Sequence, residues 1–565
     1  MKSILAGMLV LLIAFAAGSC ATGPQDASAS QPRPNIVLLL VEDLSPRIGA
    51  FGDPVARTPV LDQMAREGVR YTQVFASAGV CAPSRAALIT GMHQASIGAQ
   101  HMRTSAYKWP DGSGRVGYEA VPPAFVKAFP EMLRAASYYT INNAKTDYQF
   151  GNPFTVWDEN GPEASWTNRP KGEPFFAMYS QMPTHESGLF TPESVAAGMP
   201  SAIPAAEALE KRRAALTHRT RPEDVVVPPY YPDTPTVRAD IARQYDNVQL
   251  MDAWVGERLD ELKREGVLDN TIVIWASDHG DGFPRAKRSL YDSGMQAPMI
   301  VRFPDGRRAG QADERMISFV DLAPTILAMA GVTAPSHMQG INALGPDGEA
   351  QARVFAARDR LDEWQDLSRA VRTRDFKYIR NEYPDAPLYL KLAYRENVPM
   401  MAELRRLFEA GQLSPLQASY FQTPRPAEEL YDLRSDPFEI RNLADDPAFA
   451  ATKAELASAL SAWRARIGDP GKLPEDQMVK AAWGADTQPR TSKPTMIVSP
   501  GPLGTPSIRL ASQTEGASIG YRLDDETRWK LYIGPFYALP GRRIEAKAIR
   551  YGFAESEVMA RMIGD

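Results

Sequence analysis

Cysteine is nearly absent from this chain: Cys20 and Cys81 are the only two in 565 residues, too few for the disulfide framework of a small secreted domain. A surplus of positive charge is missing as well. The formal net charge is -5, with acidic and basic residues interspersed, so there is no basic field of the kind that nucleic acid requires, and that partner class is excluded. No apolar run is long enough to span a bilayer stably; the stretch Met8 to Ala17 falls short. What remains, 44% hydrophobic and 23% charged residues, is the balance of a soluble globular protein. Its length predicts one large domain with a smaller partner.

Lys2, the apolar run to Ala17 and the small residues Ala17-Gly18-Ser19-Cys20 predict an export signal over residues 1–20. The residues before Cys20 are also similar to a bacterial lipobox, with Ala17 where leucine is usual. Two outcomes stay open: acylation of Cys20, which would be the chain's one tie to a membrane, or simple cleavage. Both place the mature protein outside the cytoplasm, periplasmic or lipid-anchored at the cell envelope. Cys81 is then a lone cysteine in an exported protein, which needs an explanation.

After a Pro- and Ser-rich tether over 21–33, Asn35 to Val41 is continuously apolar, as in a strand buried on both faces. It ends abruptly at Glu42-Asp43. Thr58-Pro59 predicts a helix start with a capping hydroxyl and an N1 proline, stopped by Gly68. The same grammar returns at Thr271 to Ala276, a second buried strand ending in Ser277-Asp278-His279-Gly280. In open parallel sheets ligands lie outside the carboxyl ends of the strands, so Glu42, Asp43, Asp278 and His279 are expected to converge. Val237 to Glu265 reads as a long amphipathic helix covering the sheet, and the proline-rich stretch 225–235 as an extended surface connection. Arg353 to Ala357 and Ala370 to Arg380 predict strands of a smaller sheet, closed by a helix over 449–466. Beyond a Pro-, Thr- and Ser-rich break, short alternating segments predict a small β-sandwich over 490–565.

The sharpest local pattern is Cys81-Ala82-Pro83-Ser84-Arg85, running to Thr90-Gly91. Pro83 suits a first helical turn and Gly91 a helix end. Cys81 is thereby placed at a helix N-terminus, where unpaired N–H groups and the dipole favour an anion. Arg85, one turn in, adds a planar cationic fork suited to tetrahedral oxyanions. Taken alone, a buried inert thiol is the commoner fate of a free cysteine.

Cys-x-Pro-Ser-Arg followed by a helix and Thr-Gly resembles the signature of the type I sulfatases. The resemblance extends from about residue 34 to about 470. It includes Asn35-Ile36-Val37 leading to Glu42-Asp43, Thr58-Pro59-Val60-Leu61-Asp62, Ser277-Asp278-His279-Gly280-Asp281, Lys287 with Tyr291-Asp292, and Leu430-Tyr431-Asp432-Leu433 with Asn442-Leu443. It implies an α/β fold, an alkaline-phosphatase-like mixed and mostly parallel sheet flanked by helices, over 34–352. A smaller antiparallel C-terminal subdomain over 353–484 would follow, with the sandwich appended.

The resemblance further implies that a maturation enzyme oxidises Cys81 to formylglycine. Its hydrate would attack sulfur and later expel sulfate by collapsing to the aldehyde. Implied metal ligands are Glu42, Asp43, Asp278 and His279 with residue 81, and the implied ion is calcium, a hard cation suited to oxygen ligands. Most family members carry aspartate where Glu42 stands and often asparagine where His279 stands. Arg85, Lys145, His185 and Lys287 are implied around the sulfate, with His185 or Lys287 as the acid for the leaving atom. The family's usual Lys-x-His is here Lys145-Thr146-Asp147, without its histidine. His93, His101, Arg103 and Arg360 are expected to line the substrate pocket and suit a sulfated saccharide. Two other functions fit parts of the pattern: a phosphomonoester or phosphonate hydrolase of the same superfamily, and a silent glycan-binding homologue.

Overall fold

The computed structural model describes residues 33–109, 112–344 and 348–564. The expected export signal, Cys20 and the tether before Arg33 lie outside these residues.

An eight-stranded sheet forms the centre, in the order β4-β3-β5-β1-β6-β7-β2-β8. Its strands are β1 (Asn35–Val41), β2 (Val69–Phe75), β3 (Tyr139–Asn143), β4 (Glu159–Asn160), β5 (Phe175–Gln181), β6 (Thr271–Ser277), β7 (Gln296–Arg302) and β8 (Ala312–Ser318). Only β7 runs against the others, so the sheet is mixed and mostly parallel, as expected. Every residue of β1 and β6 is buried, because parallel strands with helices on both faces have no solvent side. Leu38, Leu40 and Ile274 pack on one face with Leu88 and Ile89 of the helix Cys81–Thr90. Leu39, Val273 and Trp275 pack on the other with Leu61 and Met64 of the helix Pro59–Glu67 and Val248 and Val255 of the helix Pro235–Arg264. Each such aliphatic side chain stabilises the fold by about 1.5–3 kcal/mol.

The register fixes the site. β1 and β6 pair in parallel with Val41 opposite Ser277, so the residues that follow, Glu42-Asp43 and Asp278-His279, leave the sheet side by side.

Two local expectations are corrected. Thr58 does not cap its helix: its hydroxyl accepts the Gly49 N–H at 3.0 Å and donates to Asp62 at 3.1 Å. The Asp252 carboxylate, reaching over from Pro235–Arg264, instead accepts the N–H groups of Val60 and Leu61 at 3.1 and 2.8 Å. A tertiary acceptor thus takes the place of a local one. Nor is the proline-rich connection wholly on the surface. Tyr230 and Tyr231 are buried; Tyr231 donates to the Pro284 carbonyl, and the Arg285 guanidinium lies 4.2 Å from the centre of the Tyr230 ring. Aromatic area outweighs the pull of the prolines toward solvent.

The smaller antiparallel sheet, ordered β12-β11-β10-β9, comprises β9 (Val354–Arg358), β10 (Ser368–Arg372), β11 (Phe376–Asn381) and β12 (Glu428–Asp432). Leu456, Leu460 and Trp463 of the helix Ala450–Ile467 cover it.

Two further antiparallel sheets follow. One holds β13 (Thr495–Ser499), β14 (Ser507–Ala511) and β17 (Phe536–Tyr537). The other holds β15 (Ser518–Leu523), β16 (Lys530–Leu531), β18 (Arg543–Ile549) and β19 (Met559–Met562). Both sheets contribute to one apolar cluster around Ile508, Leu510, Ile544 and Ala546. This unit is tied firmly to the large one. Buried Glu131 accepts from Thr155, Ser518 and Tyr551, and the Tyr551 ring stacks on Phe150 at 5.2 Å as part of the main core. Gly552 sits at φ +80°, where a Cβ would come within 2.5 Å of the Ala120 carbonyl, so only glycine allows this approach.

Candidate active site

The helix Cys81–Thr90 begins where the strand ends meet, and all ten of its residues are buried. Gly91, at φ +67°, closes it by donating to the Ala87 carbonyl. Cys81 is a free, fully buried thiol at the first helical position. Its Sγ lies 3.3 Å from Lys287 Nζ, 3.4 Å from His279 Nε2 and 3.6 Å from Asp43 Oδ1.

Asp43 is the hub. It stands at φ +48° just past β1 and is fully buried. It accepts from Lys287 Nζ at 2.5 Å and from the Glu186 N–H at 2.7 Å, and its Oδ1 is 3.0 Å from His279 Nε2. Burial alone would raise its carboxyl, but Lys287 beside it holds it well below the usual carboxylate range. Asp278 accepts from Arg85 Nε at 3.2 Å and from the Asp43 N–H at 3.1 Å. Arg85 also bonds Glu42, and Lys145 Nζ donates to the other Glu42 oxygen at 2.5 Å. Gly280 permits this crowding, since a Cβ there would lie 2.2 Å from the Ser293 carbonyl.

The predicted ligands therefore converge, in two overlapping groups. Asp43, Cys81, Asp278 and His279 have ligand atoms all within 4.8 Å of one another, and so do Glu42, Asp43, Cys81 and His185. Glu42 belongs to the group without Asp278 and His279, and each of its oxygens already receives a cation. The electrostatics suit a bound cation. Although burial opposes its charge, Asp278 and Asp43 push the His279 imidazole up to about 10, the mark of carboxylates drawing in positive charge. Two carboxylates and an imidazole are a donor set that a divalent ion accepts.

For His185, burial first, then Lys287, pushes the imidazole down to about 3, so the ring is uncharged near pH 7. Its Nδ1 accepts the Ser187 N–H at 3.2 Å, which puts the proton of the neutral ring on Nε2. Lys287 is raised, with Asp43 and then Cys81 outweighing burial, and so holds its proton firmly.

Of the expected pocket residues, Arg103 and Arg360 line a cavity of about 630 Å³ together with Tyr107, Asp362 and Tyr394. Arg103 pairs with Asp147 at 3.3 Å, and Asp147 lies 3.5 Å from Lys145, so a chain of charges links cavity and centre. Asp147 thus stands between two cations where the family's histidine is missing. Arg360 is held by Glu475 at 2.6 Å and by the carbonyls of Met102 and Asp362. His93 and His101 do not line the cavity. His93 packs edge-on against Trp463 at 5.1 Å under the smaller sheet, and burial pushes it down to about 3. His101 accepts the Arg360 N–H at 3.3 Å, and burial pushes it down to about 4. Neither reaches the cavity, because His93 is turned toward the helix that covers the smaller sheet and His101 toward the backbone at Arg360.

Sequence reasoning missed a supporting layer. Arg288 bonds Glu186 with one nitrogen at 2.8 and 2.9 Å, and Arg395 donates to the Lys287 carbonyl. These contacts fix the turn that carries Lys287 against the one that carries His185. Glu186, adjacent to His185, was within reach of a closer look; Arg395 and Glu475 carry no local signal.

Residues 34–332 match the family model described as Sulfatase, and residues 282–390 match N-sulphoglucosamine sulphohydrolase, C-terminal. An ulvan-active sulfatase of Formosa agariphila is 42% identical, over 93% of this chain and 91% of that protein. The human N-sulphoglucosamine sulphohydrolase is 29% identical, over 81% and 95%. Among solved structures, a 2-O GAG sulfatase matches with a TM-score of 0.54 at 20% identity, covering 78% of this chain and 93% of that one. A protein solved with its substrate D-glucosamine-2-N,6-O-disulfate matches with a TM-score of 0.53 at 19% identity, covering 79% of this chain and all of the other. The thiol at a buried helix start, the paired acidic strand ends and these matches lead to one conclusion: the chain belongs to the sulfatase family of the alkaline phosphatase superfamily and is a sulfuric ester hydrolase.

Proposed function

We propose that this enzyme removes sulfate from sulfated carbohydrates, as esters or sulfamates, after Cys81 is matured to formylglycine and one calcium ion is bound. The observation that carries the proposal is the position of Cys81: a helix-start thiol within 3.3 to 3.6 Å of Lys287, His279 and Asp43, among residues suited to a cation. Asp43, Asp278 and His279 would hold the ion, with Glu42 at its margin. The ion and the hydrated aldehyde supply an activated oxygen nucleophile.

The chain's own residues account for the rest. The helix start at Cys81 and the fixed charges of Arg85, Lys145 and Lys287 around it would stabilise a sulfo group as it gathers negative charge. Burial keeps these charges from being screened. His185 presents Nε2–H as a hydrogen-bond donor for the leaving oxygen or nitrogen. The adjoining cavity, about 630 Å³, is of a size that takes a small ligand, and its Arg103 suits an anionic sugar. The relatives named for ulvan and sulphoglucosamine support a carbohydrate substrate. The first twenty residues support export to the periplasm or anchoring through Cys20.

Peptide mass analysis of residue 81 from the native host, paired with a screen of sulfated saccharides against phosphate and phosphonate esters, tests this. An aldehyde at residue 81 and sulfate release that Cys81→Ala abolishes are expected. Preferential turnover of phosphate or phosphonate esters would replace sulfate as the substrate. An unmodified cysteine with saccharide binding but no turnover would instead make the chain a silent homologue.

A further inference from the structure

A loop described over residues 103–109 and 112–119 lies between two cavities. The first is the one beside the active site. The second, about 400 Å³, lies between this loop and the helix Glu475–Trp483, and its walls include Trp109, Tyr118, Lys480 and Trp483. The cavities adjoin: Ser105 lines the second and its neighbour Ala106 the first.

One buried node organises both. Glu475, 6% exposed, accepts from Arg360 Nε and Nη2 at 2.6 and 2.9 Å and from the Tyr118 hydroxyl. Arg360 belongs to the first cavity and Tyr118 to the second. Aromatic rings step from one to the other: Tyr107 to Trp109 at 5.1 Å between centres, then Trp109 to Tyr118 at 6.1 Å. The Arg115 guanidinium lies 4.6 Å from the centre of the Trp109 ring, and the Trp483 indole N–H has no acceptor. Flat apolar rings with a few fixed polar groups are the lining of a small-ligand site. Rings suit the C–H faces of a sugar, and Lys480, paired with Asp486 at 3.1 Å, brings a positive charge to the rim.

We infer that the second cavity is a distal subsite, holding a further unit of the same saccharide chain while the unit in the first cavity loses its sulfate. This rests on the carbohydrate substrate proposed above. The occupant follows from proximity: the two cavities lie on either side of one loop, lined by its consecutive residues Ser105 and Ala106, so a chain that leaves the first across that loop reaches the second. The enzyme would then favour oligosaccharides over single sulfated sugars.

The test compares a sulfated oligosaccharide with the monosaccharide sulfate it contains, on the full-length matured enzyme. Trp109→Ala and Trp483→Ala should each raise KM for the oligosaccharide about five- to tenfold, leave its kcat within about twofold and spare the monosaccharide, which also reports that the variants fold. Lys480→Glu, on the cavity rim, should raise the oligosaccharide KM most at low ionic strength. Equal losses on both substrates, no change on either, or a wild-type enzyme that handles the two alike would overturn the subsite. Should the wild-type enzyme release sulfate from no saccharide, the carbohydrate substrate falls and the subsite with it; failure of the subsite alone shows only with saccharide turnover intact.

Discussion

Lys287→Met tests the electrostatics of the centre most directly. Methionine keeps a flexible unbranched stem and removes the charge together with its hydrogen-bond donors. In the native protein Nζ lies 2.5 Å from Asp43 and 3.3 Å from Cys81 Sγ, with the side chain 1% exposed. Removing one partner of a buried ion pair costs about 3–5 kcal/mol. Here the lower end is expected, because Asp43 keeps the Glu186 N–H at 2.7 Å and His279 at 3.0 Å. The catalytic loss is separate. Deleting one preorganised donor aimed at developing charge lowers kcat by about 10²–10³, and kcat should fall more than KM rises, since the charge matters most in the transition state. Steady-state kinetics on a sulfate ester, alongside denaturant unfolding of the same preparation and mass analysis of residue 81, separates the effects. A folded, matured Lys287→Met enzyme with kcat within tenfold of wild type would refute the role given to this lysine.

Asp252→Ala, which removes the remote cap of Pro59–Glu67, should cost about 1–2 kcal/mol in urea unfolding while sparing kcat. Asp292 is pressed down to about 2 because Lys377 and Arg372 outweigh its burial. Its folded value thus lies below the unfolded one, so its contribution is complete above about pH 4 and drains away as pH falls toward 2. That amounts to about 2 kcal/mol, a limb that Asp292→Asn should flatten in acid-unfolding curves. Chelation should abolish sulfate release and calcium should restore it. Calcium at about a hundred times its Kd should add about 2.7 kcal/mol of stability, visible as a higher melting temperature.

The convergence of the acidic strand ends was legible because it follows from register. Two continuously apolar runs, each ending in acidic residues, read as buried parallel strands, and pairing Val41 with Ser277 turns that pattern into one site. Cys81 and Arg85 were legible through helix-end chemistry. What stayed hidden depends on tertiary partners. Thr58 looks like a cap because Ser and Thr before a proline usually serve as one, yet Asp252, remote in sequence, supplies the acceptor. His93 and His101 follow the catalytic helix closely, but proximity in sequence says nothing of which way the chain turns after Gly91. The protonation of His185 depends on burial and on Lys287, neither visible locally. Glu475 tethers Arg360 from more than a hundred residues away.

The bond between Glu131 and its three hydroxyl partners bears on how this protein can be divided. Two of those donors, Ser518 and Tyr551, lie in the terminal β-rich unit, while the carboxylate lies in the body of the enzyme. A shortened chain ending before Thr495 would leave that acid without two of its donors, bare the ring of Phe150 and take an aromatic plug out of the main core. The terminal unit is better regarded as masonry than as a pendant, and a minimal catalytic fragment should be cut elsewhere or not at all.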